Sequence, residues 1–380
     1  MRASQILAAL VAALIGYGST IALVLSAAAA VAATPAQTAS WVFTVCLAKA
    51  VGSAWLSVHT RVPVVLAWST PGTALIAATT GVTMAEAVGG FLLSAALVVL
   101  TGLVRPLGRA MAAIPDGIAA GMLAGVLLPF CLKLAPSAAA LPALVLPMLA
   151  VYLGVRQYGP GLAVLAALVT GVVLAFATGT SPALVPVWPN PVFIAPVFRP
   201  EVLIGLGLPL YLVTMASQNL PGFATLRAHG FEAPVQPALV VTGTLSGISA
   251  FFGAHPISMA AITAALCMGP DTHPDPAQRW RTGVAYGGVW LMLALFGPLI
   301  LSALAALPGP LVTAIVGLAL LGPLTGAMTG AFATPAQRFP AAVTLTVTAS
   351  GVAVFGIGAT FWGLVAGLAV HTLDRTSARP

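Results

Sequence analysis

The feature that most constrains this chain is a near-unbroken series of apolar segments separated only by short runs of proline, glycine and arginine. We read them at residues 5–31, 39–57, 62–79, 84–104, 110–133, 138–155, 160–178, 201–220, 235–252, 254–269, 280–305, 309–329, 338–353 and 357–373. That makes fourteen segments, with twelve as the alternative count. Only 6% of the 380 residues are charged, where a soluble domain carries roughly 25%. The mean hydropathy is +1.08. An all-α polytopic membrane protein is the class that fits, because helices satisfy their own backbone in lipid. The first segment has no short signal core with a cleavage site before it and is read as a span of the mature protein.

Charge orients the segments. With the N-terminus in the cytoplasm, the termini and even-numbered loops hold Arg2, Arg61, Arg105, Arg109, Arg156, Arg227, Arg279, Arg281, Arg338, Arg375 and Arg379. The odd-numbered loops hold only Lys133 and Arg199. This asymmetry follows the positive-inside rule and puts both termini in the cytoplasm of a bacterial-type inner membrane. The net charge of +7 comes from these scattered positives and marks no nucleic-acid surface. Cys46, Cys131 and Cys267 lie singly in apolar runs, with neither metal nor disulfide spacing.

Two pairs of short stretches hint at duplication. Thr34-Pro-Ala-Gln37 matches Ala233-Pro-Val-Gln236, and Ile114-Pro115-Asp-Gly117 matches Leu307-Pro308-Gly-Pro310. Both pairs are separated by nearly the same distance in sequence, so the chain reads as a 7+7 inverted repeat, a transporter signature. Chance is the rival explanation, since the chain has 31 prolines. Segments 3 and 10 are short and broken. The third runs through β-rich Val62 to Ala67 into Ser69-Thr70-Pro71-Gly72, a cap-and-proline signal for a helix beginning at Pro71. In the tenth, Ala254-His255-Pro256 has the same form, with Pro256 as the expected first helical residue, before Ile257 and Ser258. Two half-helices starting near the midplane would point N–H groups and positive dipole ends into one cavity, where an anion fits. Kinked helices with purely structural roles are the alternative.

The stretch VTMASQNLPG, Val213 to Gly222, sets Ser217, Gln218 and Asn219 side by side in an apolar run. Polar side chains in lipid face a cavity or a partner. All seven acidic residues, Glu86, Asp116, Glu201, Glu232, Asp271, Asp275 and Asp374, fall at loops or segment ends. A cationic substrate would want a buried counter-charge and is disfavoured. His255 has two readings, a proton carrier or a neutral cap and hydrogen-bond donor. Lys49 also has two, a snorkelling structural residue or a cavity residue that attracts anions.

VPVVLAWSTPGTALI, LPLYLVTMASQNLPGFATLRAHGFEAPVQP, AAITAALCMGPDTHPDPAQRW and VTASGVAVFGIGATFWGLVAG resemble the benzoate:proton symporter family, BenE, from about Ile15 to the last segment. That family is similar in fold to nucleobase and sulfate permeases. The resemblance implies a core domain from residues 1–108 (segments 1–4) and 200–306 (segments 8–11). It implies a gate domain from residues 109–199 (segments 5–7) and 307–380 (segments 12–14), with short strands before the half-helices of segments 3 and 10. Substrate would sit between those half-helices, beside segment 8. Nucleobase permeases carry carboxylates on segments 8 and 10. Here those places read Ser217-Gln218-Asn219 and His255-Pro256-Ile257-Ser258, which suits an anion.

The expected function is secondary active import of benzoate or a similar aromatic carboxylate with protons, by alternating access. A carrier of another small anion or a nucleobase, or an anion channel, is the alternative. The expected substrate contacts are Ser69, Thr70, Pro71, Gly72, Ser217, Gln218, Asn219, His255, Pro256, Ile257 and Ser258. Tyr17, Trp68 or Met215 would flank the ring, and His255 is the proton-coupling candidate. No cofactor, metal or catalytic constellation is expected. A homodimer through the gate domain is left open by the resemblance.

Overall fold

The computed structural model describes residues 1–104, 106, 114–179, 189–260 and 262–377. Arg105, Arg109 and Arg379, the start of segment 5 and the expected boundary at 108/109 lie outside the described residues. The chain is mainly helical. In order it forms α1 (Ala3–Ala30), α2 (Pro35–Thr60), β1 (Leu66–Trp68), α3 (Thr70–Ala77), α4 (Met84–Leu103) and α5 (Asp116–Leu132). Then come α6 (Leu134–Ala140), α7 (Pro142–Arg156), α8 (Pro160–Ala177), α9 (Pro200–Ala228) and α10 (Val235–Ala250). The last elements are β2 (Ile257–Met259), α11 (Ile262–Met268), α12 (Trp280–Ala305), α13 (Gly309–Ala333), α14 (Arg338–Ala349) and α15 (Ala359–Ser377). Among the described residues, seven helices are long and apolar enough to cross a bilayer.

Local sequence explains the ends. Thr34 caps α2 in a capping box with Gln37, and Thr83 caps α4 in another with Glu86. Glu86 also pairs with Arg199 at 2.9 Å, tying the start of α4 to the start of α9. Pro115 and Pro308 occupy the position just before α5 and α13 with nearly equal dihedrals, φ −59°, ψ 130° and φ −55°, ψ 135°. The helices pack in pairs: α2 on α12, α4 on α10, α5 on α13 and on α14, α14 on α15, and α7 on α8. Helix α1 touches α3, α11 and α12 and also α8 and α13.

The strands are the exception in this helical chain, and they lie in its interior. β1 and β2 pair antiparallel, with Leu66 opposite Met259, Ala67 opposite Ser258 and Trp68 opposite Ile257. Two more bonds extend the ladder reciprocally: Ser69 N–H donates to Pro256 O (3.2 Å), and Ala260 N–H donates to Val65 O (2.9 Å). Extended backbone buried in a membrane protein needs every polar group satisfied. Flanking helices supply several of the outer partners. Ser53 and Ser57 of α2 accept from Leu66 and Val64 N–H (3.1 and 3.0 Å), Ser246 of α10 accepts from Ile257 N–H (2.9 Å), and Tyr286 of α12 donates to Leu66 O (3.0 Å).

Two expectations about the broken segments need correction. The first half-helix begins at Thr70, with Ser69 as its cap, so Pro71 is the second helical residue. The second does not begin at Pro256. That proline precedes β2, and the described helix starts at Ile262. Proline suits the first turn of a helix and the entry to a strand equally well, and Ile257-Ser258-Met259 after it favours the strand. The first strand is also shorter than the β-rich stretch Val62 to Ala67 suggested, covering Leu66–Trp68.

Candidate functional site

Where β1 hands over to α3, Ser69 Oγ accepts Gly72 N–H (3.2 Å) and lies 2.7 Å from Thr214 Oγ1 of α9. Thr73 Oγ1 donates to Ser69 O (2.9 Å), and Thr70 Oγ1 lies 3.0 Å from Thr20 Oγ1 of α1. Pro71 has no N–H and the Gly72 N–H is already capped, so the α3 N-terminus keeps one backbone donor, Thr70 N–H, for a ligand. Thr70 is half-buried, whereas Ser69 is fully buried.

The helix facing this corner is α9, which contains wide, π-type turns at Leu203–Gly207 and Met215–Asn219. Such turns are frequent at functional sites because they displace side chains from the regular helical stripe. The second one holds the polar triplet, and its members do different jobs. Ser217 returns its hydroxyl to Val213 O. Asn219 is buried: its Oδ1 accepts Met259 N–H of β2 (2.9 Å) and its Nδ2 contacts Met215 Sδ (3.2 Å). Gln218 is half-buried, and its amide has no hydrogen bond to the described residues. So Asn219 fastens α9 to the strand pair, while Gln218 keeps a free amide. Gly222 permits the same close seating, because a Cβ there would run into the Met259 side chain.

Alternation along the strands sorts the rest. Ala67 and Ser258 share one face of the ribbon; Trp68 and Ile257 point to the other. On the first face Ala67 is half-buried, and the Ser258 hydroxyl is buried with no partner. Helix α5 packs against both α3 and the Met215–Asn219 turn. A separate cavity of about 330 Å³ opens at the other end of α3, lined by Ser26, Ala77, Phe130, Lys133, Thr313 and Val316 among others.

His255 is not at a helix start. It is fully buried two residues before β2, where Trp41 Nε1–H donates to its Nδ1 (2.7 Å) and its Nε2 lies 2.8 Å from Thr73 Oγ1. Indole N–H only donates, so Nδ1 is an acceptor. Because the Thr73 hydroxyl donates to Ser69 O, Nε2–H donates to Thr73. The ring is neutral, with both nitrogens committed, and it acts as a clamp between α2 and α3. Pro256 and Ile257 contribute backbone to the ladder.

The residues expected to flank the ring, Tyr17, Trp68 and Met215, are all buried. Met215 is 1% exposed and Tyr17 4%. Trp68 packs against Tyr17 (5.6 Å between ring centroids), Trp290 (5.4 Å) and His255 (6.5 Å). Lys49 enters this box. It is fully buried, so the snorkelling reading fails. Its Nζ lies 2.9 Å from the Trp290 centroid and 3.7 Å from that of Trp68. Sequence reasoning missed Trp290, Trp41, Thr73 and Thr214, since each lies on a different helix from the motif it completes.

Comparisons with known proteins agree with this architecture. The family model described as "Benzoate membrane transport protein" matches residues 1–373. The chain is 42% identical over 367 residues to "Inner membrane protein YdcO" of Escherichia coli (strain K12), covering 95% of this chain and 93% of that one. It is 34% identical over 372 residues to the "Benzoate membrane transport protein" of Acinetobacter baylyi, covering 97% and 94%. Among solved structures, the transmembrane domain of a cyanobacterium bicarbonate transporter, BicA, aligns with TM-score 0.66 at 15% identity, over 96% of this chain and 97% of that one. SLC26A9 aligns with TM-score 0.64 at 14% identity, over 97% of this chain and 65% of that one. The bilayer-spanning helices, the buried strand pair and the sequence match together lead to one conclusion: the chain belongs to the BenE family of benzoate membrane transport proteins and is a membrane transporter.

Proposed function

We propose that the chain imports benzoate or a similar aromatic carboxylate together with protons. The observation that carries this reading is the set of uncommitted polar groups beside the strand pair, namely Thr70 N–H, the Gln218 amide and the Ser258 hydroxyl, with no carboxylate among them. Donors without a fixed negative charge suit an anion, and the α3 N-terminus adds its positive end. The substrate carboxylate sits at Thr70 and Gln218, with the ring directed toward α5. Ser69, Pro71 and Gly72 shape that helix end. Asn219, His255, Pro256 and Ile257 hold the surrounding backbone. The name carried by the Acinetobacter baylyi relative supports benzoate as the first substrate to test.

Transport follows from moving two bodies past each other. The core comprises α1–α4 and α9–α12, and the gate α5–α8 and α13–α15. The closest helix pairs fall within one body or the other, while α1, α3 and α9 meet the gate. Fourteen crossings in a 7+7 inverted arrangement fit the reciprocal ladder bonds, the matched serines Ser53 and Ser246, and the matched prolines Pro115 and Pro308. Both termini lie in the cytoplasm on this arrangement.

The test is uptake of labelled benzoate by proteoliposomes under an inward proton gradient. Concentrative uptake that collapses with a protonophore is expected. No accumulation beyond protein-free vesicles ends the reading. Competition by uracil or sulfate, in place of aromatic acids, would move the assignment to another carrier class, and unitary currents would make the protein a channel.

A further inference from the structure

We infer that Lys49 is the residue whose protonation couples carboxylate binding to proton movement, an assignment that rests on the symport reading above. Two buried basic groups, His255 and Lys49, lie close to the strand pair, and the structure separates them. His255 has both nitrogens committed, and a second proton on Nδ1 would confront the Trp41 N–H with another donor. Lys49 is the opposite case. Its Nζ has no hydrogen-bond partner and no carboxylate within ion-pairing distance among the described residues. It rests instead between two indole faces, Trp290 at 2.9 Å and Trp68 at 3.7 Å.

Such a box suits both forms of the amine. Ring quadrupoles attract the ammonium, while the apolar walls accept the neutral amine without leaving a strong charge unpaired. The other titratable groups facing Lys49 are Cys46 of α2, Tyr17 of α1, Tyr286 of α12 and His255 before β2. Thiol and phenols are neutral near pH 7, and α10 and the strands offer no titratable side chain there. None of these groups holds the ammonium permanently, so a nearby anion decides its charge.

The box is joined to the proposed carboxylate position through the chain itself. Trp68 is the residue before the Ser69 cap, and Tyr17, against both indoles, lies one turn before Thr20, which meets Thr70. An arriving carboxylate favours the ammonium, and by linkage the ammonium favours the carboxylate equally. The amine takes one proton from the entry side and returns it on the exit side when the carboxylate leaves. One proton and one carboxylate cross together, so the loaded pair of ammonium and carboxylate and the empty neutral amine both carry no net charge.

The test is titration calorimetry of benzoate binding to purified full-length protein, in buffers of different ionisation enthalpy, which counts protons taken up per ligand bound. The parent should take up about one proton near neutral pH. Lys49→Arg, which keeps its charge at all accessible pH, and Lys49→Met should take up none. Trp290→Phe keeps the amine but weakens the box, and should shift the pH dependence of benzoate affinity to lower pH. The assignment is overturned if the parent binds benzoate without proton uptake. It is equally overturned if Lys49→Arg takes up as many protons as the parent, or if Trp290→Phe leaves the profile unmoved. A parent that binds no benzoate overturns the carboxylate reading itself and is told apart by that result.

Discussion

The two strand–helix crossings of this protein are built on one plan and finished differently. Each contributes three residues to the central ladder, each has a serine from the preceding helix under its first strand residue, and each donates one N–H just past its strand. The ladder equates Ser69 with Ala260 and, two residues before each strand, Val64 with His255. The first crossing therefore has a hydroxyl cap at its helix, and the second has alanine there. Conversely, the second crossing carries an imidazole where the first has valine. On the proposed reading the ligand-facing donor of a helix end belongs to the first crossing, while the second supplies the clamp that holds the first in place. A fixed scaffold beside a less committed one is what a binding site requires, because catching and releasing an anion needs groups not already saturated.

Removing the clamp should have the largest effect. His255→Leu fills similar space but leaves Trp41 Nε1–H buried without an acceptor and Thr73 without its donor. Unsatisfied buried groups cost about 1–3 kcal/mol each, so a loss of about 2–4 kcal/mol is expected, read as a fall in melting temperature in detergent. If His255→Leu melts with the parent, the clamp does not exist. Val64→Ala at the matching place loses only packing and should fall less.

The neighbouring amides should separate next. Asn219→Ala orphans Met259 N–H and should lower the melting temperature, at a cost of about 1–3 kcal/mol. Gln218→Ala removes no protein hydrogen bond among the described residues, so stability should hold while KM for benzoate rises roughly tenfold, about 1.4 kcal/mol. A Gln218→Ala protein with unchanged KM but reduced stability would reverse the two roles.

How much of this the sequence disclosed depends on the range of each interaction. The cap at Ser69 was legible to within one residue because caps are local chemistry among four consecutive residues. The apolar segments were legible because lipid imposes a length and a composition. The tenth segment was misread at Pro256, since proline precedes strands as readily as it opens helices and only the partner strand decides. The Ser217-Gln218-Asn219 cluster announced itself, but its division of labour did not, because that depends on which amide reaches Met259. Lys49 keeps two readings in the sequence, and only Trp290, from the distant α12, decides between them by covering its amine.

The smallest expected effect tests the asymmetry most directly. Ser69→Ala removes an N-cap, worth about 1 kcal/mol, and leaves Thr214 without its hydroxyl partner. It also frees the Gly72 N–H, so a carboxylate gains one backbone donor as the helix loses its cap. Affinity for benzoate should therefore change less than stability does. The reciprocal change, Ala260→Ser, puts a hydroxyl at the matching position of the second crossing. If that crossing merely lacks a cap, the variant should hold or raise the melting temperature by an amount equivalent to about 0.5–1 kcal/mol, with KM unchanged. A marked gain or loss of benzoate affinity in Ala260→Ser would mean that the second crossing touches the ligand as closely as the first, and the division between binder and scaffold would have to be redrawn.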